Sequence, residues 1–308
     1  MATVTTRNGR VLIESLELDS ATATVDDICA AIVKAAPKYT IPRQRLTLQR
    51  PEGVVVLKRG ELISKYNIQK GEKVYFKDLG PQVDWTTVFL IEYLGPILIH
   101  SMFYRFPTLF YRVPEGLEAM PPRTVTQVVT MLFFMVHFLK RELETVHVHR
   151  FSNDTMPLRN LPKNCFHYWI LGGLFTAYPI YAPGFEHGYF PGLNGPVALT
   201  LLSLIWIFAE VSNYKTHVIL RDLRPPGTRV RNIPKGYGFD LVTCPNYFFE
   251  ILGWVAISLI TGSIAMWIFT VAGAVQMYLW AVKKHKRYIK EFGDKYPRKR
   301  KILIPFVL

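Results

Sequence analysis

Four side chains that follow the fourth apolar block of the sequence, Asn213, His217, Arg221 and Arg224, stand at i, i+4, i+8 and i+11. On a helix they share one face, where an amide, an imidazole and two guanidiniums suit phosphate oxygens and a nucleotide. A solvated basic helix end beside anionic headgroups accounts for the same spacing. A second group closes the second apolar block: His137, Arg141 and Glu144 fall on one face, and Lys140 faces Glu144 four residues on. Spacing alone favours a basic helix end with a stabilising ion pair there.

Carboxylates inside apolar segments are expensive and therefore candidates for function. Glu92 lies well inside the first block and reads as functional. Glu210 sits late in the fourth and reads as a helix-end group that pairs or snorkels. Glu250 follows Cys244-Pro245-Asn246-Tyr247, which opens the fifth block. With 16 tyrosines in the chain, Tyr247 by itself also fits an interfacial aromatic. No GxGxxG, P-loop, Ser/His/Asp or metal-ligand spacing occurs, so a nucleotide would bind without a Rossmann turn.

The elements that must position these groups are long and apolar. The blocks run over residues 86–104, 124–139, 165–182, 195–212 and 247–282. The last, as one helix, would reach about 54 Å, too long for a hydrocarbon core of about 30 Å. Thr261-Gly262-Ser263 near its middle can turn, which gives six membrane helices. The chain has 308 residues, 50% of them hydrophobic, with 37 Lys+Arg against 23 Asp+Glu. Such a basic chain invites a nucleic-acid reading, which the concentration of apolar residues in blocks argues against. Composition excludes a disordered chain, and three separated cysteines, Cys29, Cys165 and Cys244, exclude a disulfide scaffold. The first 25 residues lack an apolar run, so no cleavable signal peptide is expected.

Positive charge alternates between loops. It is dense before Gly80, over 140–163, over 215–235 and over 283–301, and absent from 183–194. The positive-inside rule then places both termini, the 140–163 loop and the 215–245 loop in the cytosol. The sequon at Asn153 falls on that side and is expected to stay unglycosylated.

Residues 1–80 differ in kind. Alternating residues flank Asn8-Gly9, a hairpin signal. A short helix pattern from Asp26 to Ala36 is closed by Pro37, and strand-like runs follow at Arg45–Gln49, Val54–Leu57 and Lys73–Lys77. This order, with Ile41-Pro42, Arg45-Leu46 and Tyr66-Asn67-Ile68-Gln69-Lys70, resembles a ubiquitin-like β-grasp domain. No terminal Gly-Gly is present, so a docking module or a simple soluble cap is expected rather than conjugation.

Beyond residue 81, the stretches Asn213–Pro234, Cys244–Trp254 and His285–Leu308 resemble the C-terminal domain of the steroid 5α-reductase family. His137–Ser152, Thr155–Asn160 and the ubiquitin-like front are similar to its very-long-chain trans-2-enoyl-CoA reductase branch. The resemblance implies a multispan helical membrane reductase at 81–308, its family domain over about 150–308, in the endoplasmic reticulum. It implies reduction of long-chain and very-long-chain trans-2-enoyl-CoA with NADPH, the last step of fatty-acid elongation, which also feeds sphingolipids. Elongase, ketoacyl-CoA reductase and hydroxyacyl-CoA dehydratase are the implied membrane partners, with no nucleic acid. Tyr247 matches the family's tyrosine acid, Lys140 and Arg141 match positions the enoyl reductases need, Glu144 would orient them, and Glu92 would face the substrate carbonyl. Asn213, His217, Arg224, Asn246 and Tyr288 match cofactor positions, with Arg221, Lys284 and His285 as further candidates. His217 stands where the steroid reductases carry an acid, and Asn232 where they carry arginine. A steroid or polyprenol reductase of the same fold, and a non-catalytic scaffold, are the competing readings.

Overall fold

In the computed structural model, the described residues are 2–19, 21–69, 71–151, 154–186, 195–223 and 232–307. Arg224, the sequon at Asn153 and most of the 183–194 loop lie outside them. The chain divides into two compact units, Met1–Trp85 with Asn153–Leu161, and Thr86–Ser152 with Pro162–Leu308.

The first unit opens with β1 (Ala2–Thr6) and β2 (Val11–Leu16), joined at Asn8-Gly9, where Gly9 takes φ 81°. Helix α1 (Val25–Ala35) begins where the Asp27 carboxylate accepts the Thr24 N–H at 2.7 Å, and it buries Val25, Ile28, Cys29 and Ile32. Burying one stripe of an amphipathic helix against a sheet supplies most of what holds so short a helix. Strands β3 (Gln44–Arg50), β4 (Gly53–Val56) and β5 (Lys73–Asp78) complete a five-stranded sheet of order β2-β1-β5-β3-β4. Its central pair β1–β5 is parallel and the others antiparallel, consistent with a β-grasp. Leu46, Leu48, Val74 and Phe76 alternate toward α1, as period-two patterning requires. In the YNIQK segment, Tyr66 donates to the Glu61 carboxylate and accepts from the Lys58 N–H, while Asn67 turns the chain at φ 44°. A short ribbon pairs β6 (Gln82–Asp84) with β7 (Thr155–Pro157), residues far apart in sequence.

The second unit is helical. Its elements are α2 (Trp85–Arg105), α3 (Val125–His147), α4 (Leu161–Cys165), a π-helix at Phe166–Phe175, α5 (Thr176–Ile180), α6 (Pro196–Asp222), α7 (Pro245–Thr261) and α8 (Ile264–Phe292). All the apolar blocks are thus helical, and the longest is divided at Gly262, which takes φ 57° as the α7 cap. Among the described residues, three helices are long and apolar enough to cross a membrane: Trp85–Arg105, Pro196–Asp222 and Ile264–Lys295. The remaining three differ for visible reasons. Helix α3 ends in charged residues, the 161–180 segment is broken between α and π geometry, and α7 has only 17 residues. The π turn is locked by its carbonyls: Gly172 O accepts from Thr176 Oγ1 at 2.8 Å and lies 3.0 Å from His100 Nε2. Gly95 of α2 is packed so closely that a Cβ there would sit 2.3 Å from the Trp169 ring. The core gathers Phe134 and Phe138 of α3, Trp206 of α6, Trp254 and Ile257 of α7, and Met266 and Phe269 of α8. The Phe133 and Trp206 rings stack at 3.9 Å.

Candidate active site

Helices α3, α6, α7 and α8 end around one cavity of about 330 Å³. Its lining includes seven residues singled out in the sequence: Arg141, His217, Arg221, Asn246, Tyr247, Lys284 and Tyr288. Each is carried on a helix, so packing of four helices sets their mutual placement. Phe89, His149, Arg150, Phe151 and Asn232 also line it. His149, Arg150 and Phe151 follow the end of α3, a position with no periodic pattern to mark it in the sequence.

The described lining contains four cations, Arg141, Arg150, Arg221 and Lys284, and no carboxylate. Asn246, only 6% exposed, keeps its side-chain oxygen buried and unpartnered. A buried polar atom without a partner costs free energy unless a ligand or water satisfies it. Cationic walls and an unsatisfied amide suit a nucleotide, and the volume falls at the small end of ligand pockets.

Arg141 is a hub. Its Nη1 donates to Glu144 Oε2 at 2.6 Å and its Nη2 to the Tyr93 hydroxyl at 2.9 Å. The same Nη1 lies 3.4 Å from His149 Nε2 and 3.3 Å from His217 Nδ1. Glu144, His149 and His217 could offer three metal-ligand atoms within 4.8 Å of one another. The guanidinium lies within reach of all three and already supplies the positive charge. His149 lies beyond α3, and burial, followed by the charge of Arg141, pushes its pKa down to about 3, so it is neutral.

Behind the cavity, five side chains from three helices form a closed ring. His137 Nδ1 meets Glu210 Oε1 at 2.8 Å, and Glu210 Oε2 meets Lys140 Nζ at 2.6 Å. Lys140 donates to Asn213 Oδ1 at 2.8 Å, and Asn213 Nδ2 donates to Glu250 Oε2 at 3.0 Å. Glu250 Oε1 closes the circuit 3.3 Å from His137 Nε2. Asn213 Nδ2 also donates to the Asn246 carbonyl at 2.9 Å, in the first turn of α7, next to Tyr247.

The other sequence candidates fall elsewhere. Lys140 and Asn213 belong to the ring, and Glu144 holds Arg141 from behind; none of the three is in the cavity lining. Glu92 is buried on α2, bonded to Asn164 with Oε1 unpartnered, and is not a lining residue. His285 is 2.6 Å from Thr243 Oγ1 and packs against Tyr296, away from the lining. Glu210 does pair, as its late position in the block suggested, but with His137 and Lys140 rather than an arginine. His137 and Glu250 stood out by position in the sequence, but their partners come from other helices and could not be read there.

The described helices include three apolar enough to cross a membrane, and the cavity they help to frame is walled by cations. Residues 154–308 match the family described as 3-oxo-5-alpha-steroid 4-dehydrogenase. The chain is 49% identical over 268 residues to a Schizosaccharomyces pombe protein provisionally named an enoyl reductase, covering 87% of each. It is 44% identical over 255 residues to the very-long-chain enoyl-CoA reductase of Dictyostelium discoideum, covering 82% of this chain and 79% of that one. It is 33% identical over 297 residues to the human trans-2,3-enoyl-CoA reductase-like protein, covering 93% and 77%. The chain belongs to this family, with proteins named for enoyl-CoA reduction among its relatives.

Proposed function

We propose that the protein reduces trans-2-enoyl-CoA thioesters of long and very long acyl chains to the saturated acyl-CoA, with NADPH as reductant. The observation that carries this reading is the cavity itself: four cations, no carboxylate, and Tyr247 beside them. Coenzyme A and NADPH both bring phosphates, and guanidinium and ammonium groups recognise them. Arg221, Lys284 and Tyr288 hold the cofactor with Asn246, whose unpartnered oxygen suits a carboxamide N–H.

NADPH held by these residues would supply the hydride that the β-carbon of the enoyl group needs. Tyr247 gives a proton to the α-carbon; a phenol with an ordinary pKa near 10 is protonated at neutral pH, as a donor must be. Lys284 and Arg141, both electrostatic neighbours of Tyr247, offset the negative charge left on its oxygen. Arg141 is also the lining cation suited to charge developing on the thioester oxygen. Glu144 and Tyr93 fix its orientation.

The fuller setting is part of the same proposal. Six membrane-crossing segments hold the site at the cytosolic face of the endoplasmic reticulum, with both termini cytosolic. Residues 1–80 form a ubiquitin-like module. The enzyme closes the elongation cycle, beside elongase, ketoacyl-CoA reductase and hydroxyacyl-CoA dehydratase, and feeds sphingolipid synthesis. Purified protein with NADPH and a long-chain trans-2-enoyl-CoA is expected to oxidise NADPH, followed by its absorbance. Failure to do so with the lining residues intact overturns the reading. Oxidation with a 3-oxo-4-ene steroid instead would move the protein to the steroid branch.

A further inference from the structure

The ring behind the cavity has a member with no part in the reaction above. His137 lies 3% exposed on α3, between carboxylates carried by two other helices. A neutral imidazole has one N–H and could serve only one of them. With Glu210 and Glu250 both ionised, each ring nitrogen must carry hydrogen, and His137 is the third cation of a set. Lys140, Arg141 and His137 then balance Glu144, Glu210 and Glu250. Removing one charge from such a buried set leaves another uncompensated.

We infer that His137 is a positioning residue for Tyr247, acting through the closed ring and the Asn213 hook on the first turn of α7. The path is short and continuous. His137 fixes Glu250 directly, and it fixes Lys140 through Glu210. Those two grip opposite ends of the Asn213 amide, at 2.8 Å on Oδ1 and 3.0 Å on Nδ2. With its oxygen turned to Lys140, the amide can present its NH2 only toward α7, where Nδ2 reaches the Asn246 carbonyl. Tyr247 is the next residue. Two of the ring's links hold Asn213 directly, and the other three fix the Lys140 and Glu250 groups that make them. Displacements near an ångström at a reacting group can cost about a hundredfold in rate.

This role rests on Tyr247 as the acid, so the test has one arm that reads activity and one that does not. In the full-length protein in nanodiscs, His137→Gln is expected to lower kcat about ten- to a hundredfold. Its dissociation constant for NADPH should rise by far less than kcat falls, because the cofactor cations Arg221 and Lys284 lie outside the ring and only Asn246 is tied to it. His137→Lys, which keeps a cation between the carboxylates, is expected to retain more turnover than the Gln variant. In a Tyr247→Phe background, His137→Gln is expected to cost nothing further, whereas a merely structural role would multiply the two losses. In the second arm, hydrogen exchange of peptides covering residues 245–250 should quicken in His137→Gln while those of α2 and α8 do not. If His137→Gln does not fold, Glu210→Gln opens the ring on its other side and is read in the same way. Wild-type kcat, an additive loss beside Tyr247→Phe, or unchanged exchange at 245–250 overturns the inference. An inactive wild-type protein would overturn the proposed function instead, and the exchange arm would still decide the ring.

Discussion

Arg141 and Tyr93 face each other across α3 and α2, with guanidinium Nη2 donating to the phenol at 2.9 Å and its carbon 5.2 Å from the ring centroid. One tyrosine thus holds the arginine by its edge and lies within cation–π reach of it. Tyr93→Phe removes the hydrogen bond and keeps the ring. A hydrogen bond to a charged group contributes about 1.5–3 kcal/mol, so kcat should fall about tenfold or somewhat more, with folding retained. Steady-state kinetics beside a thermal melt separates the two effects; an unchanged kcat means that Arg141 is held well enough by Glu144 alone.

Tyr247→Phe tests the acid. General-acid catalysis contributes about a hundred- to ten-thousandfold, and that is the loss expected in turnover. NADPH affinity should remain within about twofold, since the phenyl ring keeps the wall in place. Quenching of protein fluorescence on NADPH addition reads the affinity, and full activity in the variant means that the proton comes from another group.

Lys284→Met tests the cation wall. Lys284 lines the cavity, with its ammonium 5.9 Å from the Tyr288 ring centroid. Loss of one phosphate-binding charge should raise KM for NADPH about tenfold and weaken its dependence on salt, because exposed charge pairs are screened. An unchanged KM at low ionic strength would remove Lys284 from the cofactor site.

His149 sets a direction for pH. Its pKa is pushed down to about 3 by burial and by Arg141, against an ordinary 6.5, so the unfolded chain binds a proton more readily than the folded one. The stability this neutral ring contributes is complete above pH 6.5 and is lost as pH falls from there toward 3. Melting temperatures measured from pH 7.5 to 5 should therefore decline, and His149→Gln should flatten the decline. Parallel curves for the two proteins would show that other groups set the slope.

Much of this architecture was legible locally. Asn8-Gly9 marked its hairpin, Thr261-Gly262-Ser263 its break, and Asn213, His217 and Arg221 shared the helix they were expected to share. Each of those signals lies within a few residues of its consequence. The ring was not legible, because His137, Glu210 and Glu250 become partners only when α3, α6 and α7 pack together. The helical spacing of Asn213 left a ligand and a basic helix end equally open, and its bonds to Lys140, Glu250 and the Asn246 carbonyl could not be read there, since periodicity identifies a face but not what the face meets. The β6–β7 ribbon escaped for the same reason: three-residue strands have no period to detect, and theirs pair across a long insertion.

The cavity draws its wall from both ends of the helical unit, and that fixes when it can exist. Arg141 and His149 are synthesised well before Lys284 and Tyr288. Until α8 has entered and packed, the nascent chain carries an incomplete charge set and no enclosed cavity. A chain stopped at the Gly262 turn would retain the whole polar ring yet lack Lys284 and Tyr288. Enclosure of the cavity therefore waits on the packing of α8 against α3, α6 and α7.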